Sequence, residues 1–412
     1  MELAWERPPP GEFHPILAGR PGGRLSSAGM SRFVGHRLER VHQRLAGHVE
    51  SGLIPGAVTV LASGDEVHID AIGNARRDTI FRISSMTKPI AAVGAMVLVE
   101  ECALRLDDPL TEWLPELASP RVLRDPAGPL DDTVPAQREI TLRDLLTFRN
   151  GFGMLPWTPE PFPIQEAAAE LNPFGPPKPL SPFTADEWLK KLGELPLMHQ
   201  PGTRWLYHTG AEILGALLAR VSGQDLETFL TERVFHPLGM TDTAFSLPAG
   251  KLDRFTPSYW PHEQTGELEV YDETTGSWST PPIFPSAGAG LVSTADDLLA
   301  FGRLFLTTDV LSRASITTMT ADHLTPQQKA ESGFYPGYFD NRGWGFGVAV
   351  STRRDSIYET PGRFGWDGGL GTSWATDPAE DLVGVLLTQR AGFPLMSRPY
   401  QDFWTSAYQA LA

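Results

Sequence analysis

In the stretch FRISSMTK, residues 81–88, Ser85 and Lys88 are spaced S-x-x-K. A serine hydroxyl is a weak nucleophile until a base removes its proton. A lysine is such a base only when its ammonium is destabilised. Burial against apolar surface does this, because desolvation disfavours the charged form. At i and i+3 of a helix the two side chains share one face, about one turn apart. A helix start adds positive potential, which favours neutral lysine and steadies an alkoxide. It also leaves the backbone N–H of Ser85 available to an oxyanion. S-x-x-K arises often by chance, so the flanking elements decide what the pair means.

The following run, SMTKPIAAVGAMVLVEECALRL, predicts a helix that is apolar nearly all round and therefore buried. Pro89 falls near its start, where a missing N–H costs least. Cys102, in VLVEECALRL, reads as a small buried hydrophobe. Upstream, residues 1–29 are rich in Pro and Gly without a period and read as a tail or arm. From Met30 the positions Phe33, Leu38, Val41, Leu45 and Val49 predict an amphipathic helix that Gly52 ends. AVTVLAS and EVHIDAIG predict a hairpin turning at Gly64 and Asp65.

From about 106 to 284 the helical pieces LRDLLTF, TADEWLKKLGEL and AEILGALLARVSG alternate with Pro-rich LPWTPEPFPIQ and NPFGPPKPLSPF. Strands return in GWGFGVAVS, GLGTSWATDP and DLVGVLLTQ, and PYQDFWTSAYQALA closes the chain as a helix. The predicted fold is α/β (α+β). An antiparallel sheet flanked by helices is built from residues 30–105 and 285–412, and a mostly helical and loop domain, 106–284, is inserted between them.

Composition narrows the function. With 41% apolar and 20% charged residues the 412-residue chain is an ordinary globular one. A formal net charge of −16 makes nucleic acid and anionic lipid poor partners. One cysteine excludes a disulfide framework within the chain. The N-terminal MELAWERPPPGEF has no apolar signal core, and the longest apolar run, Ile90 to Val99, is too short for a bilayer. A cytoplasmic protein that does not enter membranes is expected. His199, His208, His236, His262 and His323 form no metal-ligand pattern, and no P-loop, G-x-G-x-x-G or G-x-S-x-G is present. No cofactor or metal is expected. His208 reads as structural, pointing away from Tyr207 and Thr209.

Several segments in order carry a family resemblance: IFRISSMTKPIAAVGAMVLVEE, ITLRDLLTFRNGF, PGTRWLYHTG, VFHPLGMTDTAF, SAGAGLVSTADDLLAFGRLF and FGWDGGLGTSW. Over about residues 50 to 390 the chain resembles the serine beta-lactamase and penicillin-binding-protein superfamily, most nearly its class C and family VIII carboxylesterase branch. The resemblance implies that fold and an acyl-enzyme on Ser85, with Lys88 as proton acceptor. It implies Tyr207 as the proton shuttle, its phenol pKa lowered by a nearby ammonium, and the N–H groups of Ser85 and Gly369 as the oxyanion hole. Thr209 stands where the tyrosine motif has asparagine or serine, leaving a hydroxyl able to accept a bond from Lys88 but no amide for substrate. The third motif reads Trp366-Asp367-Gly368 where relatives have Lys-Thr-Gly, His-x-Gly or a Trp-Gly-Gly-like version. Thr209, Trp366, Asp367 and Gly368 are the expected substrate contacts, and Trp157, Trp260, Trp344 and Trp366 the candidate walls of an apolar acyl pocket.

The expected function is hydrolysis of small, uncharged carboxylic esters. An acyltransferase or amidase of specialised metabolism on the same scaffold is the first alternative, and a beta-lactamase or D-alanyl peptidase the second. A non-catalytic binding protein is disfavoured by the intact Ser85, Lys88 and Tyr207. An Asp367 pointing into the pocket would repel the carboxylate of a penicillin, unless Arg363 neutralised it.

Overall fold

In the computed structural model, which describes residues 31–154, 161–171, 178, 180–392 and 397–412, the two ends of the chain meet in one antiparallel sheet. The arm at 1–29 and Trp157 lie outside the described residues. Helix α1 (Gly35–Glu50) leads into the predicted hairpin, β1 (Gly56–Ser63) and β2 (Glu66–Gly73), and then β3 (Phe81–Arg82) and α2 (Thr87–Glu100). The middle of the chain holds β4 (Arg121–Leu123), β5 (Thr133–Pro135), α3 (Leu142–Leu146), α4 (Pro163–Ala167), α5 (Ala185–Gly193) and α6 (Thr209–Ser222). It continues through α7 (Leu226–Leu230), α8 (His236–Leu238), β6 (Ser258–Pro261) and β7 (Leu268–Asp272). The last part comprises β8 (Val292–Ser293), α9 (Ala295–Leu304), α10 (Arg313–Met319), α11 (Pro326–Ala330), β9 (Arg342–Trp344) and β10 (Ala349–Ser351). Strands β11 (Phe364–Gly368), β12 (Thr372–Asp377) and β13 (Leu382–Thr388) precede α12 (Arg398–Ala410).

The sheet runs β2-β1-β13-β12-β11-β10-β9. Its register pairs Val60 with Ile69 and Val385, Trp374 with Val385, and Trp366 with Trp374. Alternation along the strands divides the core in two. Ala57 and Leu61 of β1 and Leu382 and Leu386 of β13 join Val41 and Leu45 of α1 and Phe403 and Trp404 of α12. Their neighbours Val58, Val60, Val383, Val385 and Leu387 join α2, α6 and α9 on the other face. Burial on both faces explains why β1, β12 and β13 are buried along their whole length.

Two local readings are corrected. GWGFGVAVS is a hairpin rather than one strand: Gly347, at φ +72°, turns the chain between β9 and β10 and donates its N–H to Leu146 O. Cys102 is exposed, because α2 ends at Glu100 and Cys102 falls in a left-handed turn at φ +58°. Among the described residues no helix is long and apolar enough to cross a membrane.

Candidate active site

The chain enters the site from β3, whose short pairing with β8 fixes Phe81 and Arg82. Ser84 then adopts φ +46°, a left-handed conformation uncommon for a residue with a side chain, and turns the chain into a single 3-10 turn ahead of α2. Thr87 locks the turn: its hydroxyl donates to Ser84 O at 2.6 Å and accepts the N–H of Leu291 at 3.1 Å. Every residue from Thr79 to Leu98 is buried except Ser85. Twelve residues of α2, Thr87 to Leu98, are buried, and among them is Lys88. Burying a side chain such as Ile90 contributes about 1.5–3 kcal/mol, so the helix has a strong reason to stay inside and to take Lys88 with it.

Lys88 is 2% exposed. Its Nζ lies 3.0 Å from Ser85 Oγ and donates to Gly288 O at 2.5 Å. Burial lowers its pKa to about 7, opposed by the Glu212 carboxylate, which favours the ammonium. Glu212, on α6, accepts a hydrogen bond from Ser286 Oγ at 2.7 Å and others from the N–H groups of Ala287 and Gly288. Neither Glu212 nor the Gly288 carbonyl is among the residues expected from sequence. Glu212 does leave a trace there, as the single acid in the apolar run AEILGALLA. A backbone carbonyl leaves none.

Tyr207 precedes α6, as expected. Its hydroxyl is hydrogen-bonded with Ser85 and accepts Trp366 Nε1–H at 2.9 Å, and Lys88 Nζ stands 4.5 Å from its ring centre. Rings of Phe334, Trp205, Trp366 and Phe148 lie 5.0, 5.6, 5.6 and 5.7 Å from it. This apolar enclosure corrects the expected lowering of the phenol pKa: burial pushes Tyr207 well above the ordinary tyrosine range, outweighing the bonds to Ser85 and Trp366. The resting side chain is a neutral phenol.

Thr209 takes another place than expected. As the first residue of α6 it is 1% exposed, and its hydroxyl has no hydrogen-bond partner, Lys88 included. His208, by contrast, lies beside the site: the Lys88 charge and, more strongly, burial push its pKa down to about 3, so the ring is neutral.

The third motif is split by strand alternation. Trp366 faces Tyr207. Asp367, one residue on, points through the sheet, where its Oδ1 accepts Ser373 Oγ–H at 2.6 Å and Ser373 Oγ accepts Trp404 Nε1–H from α12. Arg363, Arg342 and Glu359 line the same side, and Arg363 stacks 4.2 Å from the Trp404 ring. Burial raises the Asp367 pKa to about 6. Asp367 is therefore not a substrate contact, and the expected repulsion of a penicillin carboxylate loses its geometric basis. Gly368 lies so close to Ile83 O that a Cβ would collide with it, and Thr372 Oγ1 donates to the same carbonyl at 3.2 Å. These contacts hold the Gly368–Thr372 turn, Gly369 included, against the segment that carries Ser85. Of the candidate wall tryptophans, Trp344 and Trp366 pack with Tyr207, whereas Trp260 belongs to a separate cluster with Trp278 and Phe255. Trp205, Phe148, Phe334, Tyr338 and Phe339, not singled out from sequence, complete the aromatic cluster.

An antiparallel sheet with helices on both faces and a serine at the head of a buried helix is the architecture of the beta-lactamase-like fold. The beta-lactamase family model matches residues 41–403, and the chain belongs to that family. Protein Rv1367c of Mycobacterium tuberculosis is 39% identical over 362 residues, covering 82% of this chain and 87% of its own. Esterase EstB of Burkholderia gladioli is 32% identical over 336 residues, covering 77% and 79%. Among solved structures, EstCE1, a hydrolase with promiscuous acyltransferase activity, matches with a TM-score of 0.75 at 26% identity, covering 91% of this chain and 99% of its own. Family and relatives together indicate a serine hydrolase-type enzyme.

Proposed function

We propose that the protein is a carboxylesterase that forms an acyl-enzyme on Ser85 from small, uncharged esters. The observation that carries this is the pairing of the one accessible residue between Thr79 and Leu98, Ser85, with a lysine whose pKa burial brings to about 7. Neutral Lys88 takes the Ser85 proton as Oγ bonds the acyl carbon. The N–H groups of Ser85 and Gly369 receive the oxyanion. As the ester C–O bond breaks, Tyr207 gives its proton to the leaving alkoxide, and the proton held by Lys88 replaces it. Water then attacks the acyl carbon, its proton returns through the same groups, and Ser85 leaves as the hydroxyl. The aromatic surroundings of Tyr207 favour uncharged acyl groups, because a charge placed there would lose its hydration.

Acyl transfer to an alcohol or amine is the second reading. The likeness to EstCE1, whose acyltransferase activity is promiscuous, supports it. Intact-mass spectrometry after mixing with a nitrophenyl acyl ester tests the proposal. The expected result is one acyl group on the peptide carrying Ser85, with label and turnover both absent in Ser85→Ala. Turnover by Ser85→Ala above a few per cent of wild type would overturn it. Adding a candidate acceptor and measuring acyl product against free acid distinguishes the two readings.

A further inference from the structure

Glu212 is a buried ionisable group with no step in the acyl transfer described above. It is 9% exposed, on a helix whose neighbouring positions are apolar. A carboxylate in such a place is costly unless its oxygens are hydrogen-bonded. Its Oε1 accepts from Ser286 Oγ, and the N–H groups of Ala287 and Gly288 reach the carboxylate, while Oε2 has no hydrogen-bond partner. Gly288 must be glycine for this grip, since a Cβ there would collide with Oε1. The same Gly288 turns its carbonyl to Lys88 Nζ, and Lys88 Nζ meets Ser85 Oγ.

We propose that Glu212 is a positioning residue for Lys88, holding the Ser286–Gly288 turn so that the Gly288 carbonyl keeps the amine against Ser85. The proposal rests on the acyl-enzyme reading. Glu212 acts on Lys88 by charge as well as through the turn. Lys88 is faced by Glu212 from α6 and by Tyr207 and His208 from the segment before α6. Burial keeps Tyr207 protonated and His208 neutral. Burial raises the Glu212 pKa, opposed by the Ser286 bond and by the Lys88 charge. In its ionised form Glu212 is the carboxylate that favours the Lys88 ammonium. Removing its charge makes Lys88 lose its proton at lower pH.

The test is the pH profile of kcat/KM for a neutral nitrophenyl ester, with kcat and KM separated, in wild type, Glu212→Gln and Glu212→Ala. Glu212→Gln keeps an acceptor for the turn but removes the charge. Its acid limb is expected to move to lower pH by up to about one unit, since an opposite charge within about 4–6 Å shifts a pKa by about one unit or more and Glu212 is not bonded to Lys88 directly. Glu212→Ala is expected to lower kcat by about tenfold or more, the order of a 1.4 kcal/mol loss, with KM little changed. Glu212→Gln is expected to restore part of that loss. An acid limb of Glu212→Gln that superimposes on wild type, or a Glu212→Ala kcat equal to wild type, overturns the proposal. Should Glu212→Gln fail to fold, Ser286→Ala gives the same reading. Loss of that donor weakens the carboxylate and moves the acid limb the same way by a smaller amount, and superposition again overturns the proposal. A wild-type protein that never carries acyl on Ser85 defeats the acyl-enzyme reading and this proposal with it. Acylated wild type with an unshifted Glu212→Gln profile defeats this proposal alone.

Discussion

Arg82 and Lys88 stand three residues before and three after Ser85, and both are stripped of water, at 3% and 2% exposed. Their surroundings differ. Arg82 is held by the Asp272 carboxylate through Nε and Nη2, by the carbonyls of Thr256, Asp272 and Glu273, and by the Phe255 ring 3.9 Å away. Burial lowers its pKa only to about 10, so it stays charged at neutral pH. Lys88 has a hydroxyl and a carbonyl as its direct partners, and its carboxylate, Glu212, acts from a distance. A buried cation with a bonded counter-charge is a clamp. A buried cation without one is a base in waiting, because giving up the proton is its cheapest way to relieve desolvation.

The most severe way to break this contrast is to make Lys88 a clamp-like cation. A guanidinium does not deprotonate in proteins, so Lys88→Arg is expected to lower kcat/KM for a neutral ester by about 10⁴-fold, the top of the range for a lost acid–base group. Under the proposed mechanism neutral Lys88 is the active form in wild type, so kcat/KM should rise as pH increases through about 7. The variant should lack that limb, and a rate within tenfold of wild type would show that Lys88 is no base. Next in size is Tyr207→Phe, which leaves the ring packing but removes the hydroxyl bonded to Ser85 and Trp366. Here a loss of roughly 10² to 10³ is expected. A kcat within about threefold of wild type would make Tyr207 part of the wall only.

The clamp side of the contrast predicts the opposite pattern, a loss of stability rather than of turnover. Asp272→Asn leaves Arg82 buried without its counter-charge and should cost about 3–5 kcal/mol in urea unfolding, with kcat per folded molecule little changed. Lost kcat at unchanged stability would draw Arg82 into the chemistry. Smallest of all is Asp367→Asn, on the sheet face away from Tyr207. Its effect on kcat/KM for a neutral ester should stay within about threefold, under 1 kcal/mol on the transition-state scale. A tenfold gain in penicillin turnover in that variant would return Asp367 to the substrate's surroundings.

Much of the frame was readable in the chain. The hairpin at Gly64, the buried helix after Ser85, the helix after Tyr207 and the antiparallel sheet from both chain ends follow from the 3.6 and 2.0 periods and their turn residues. The split of GWGFGVAVS was harder, since a glycine in an apolar run marks a bend only once something such as Leu146 O is there to receive its N–H. Cys102 was placed inside because the predicted helix carried on past Glu100, where α2 in fact stops.

By itself the sequence determined that Lys88 would share a helix face with Ser85 and be carried into apolar surroundings, because spacing and composition act locally. Tertiary structure alone decided what Lys88 meets there. Gly288, 200 residues away, offers a carbonyl that no side-chain pattern announces. Glu212 is visible in the chain as a lone acid, yet its use depends on the turn packed against it. The faces of Trp366 and Asp367 were separable by alternation, but which face met Tyr207 depended on which strands and helices covered each side. Periodicity groups residues onto faces. Only packing over long sequence distances gives those faces their partners.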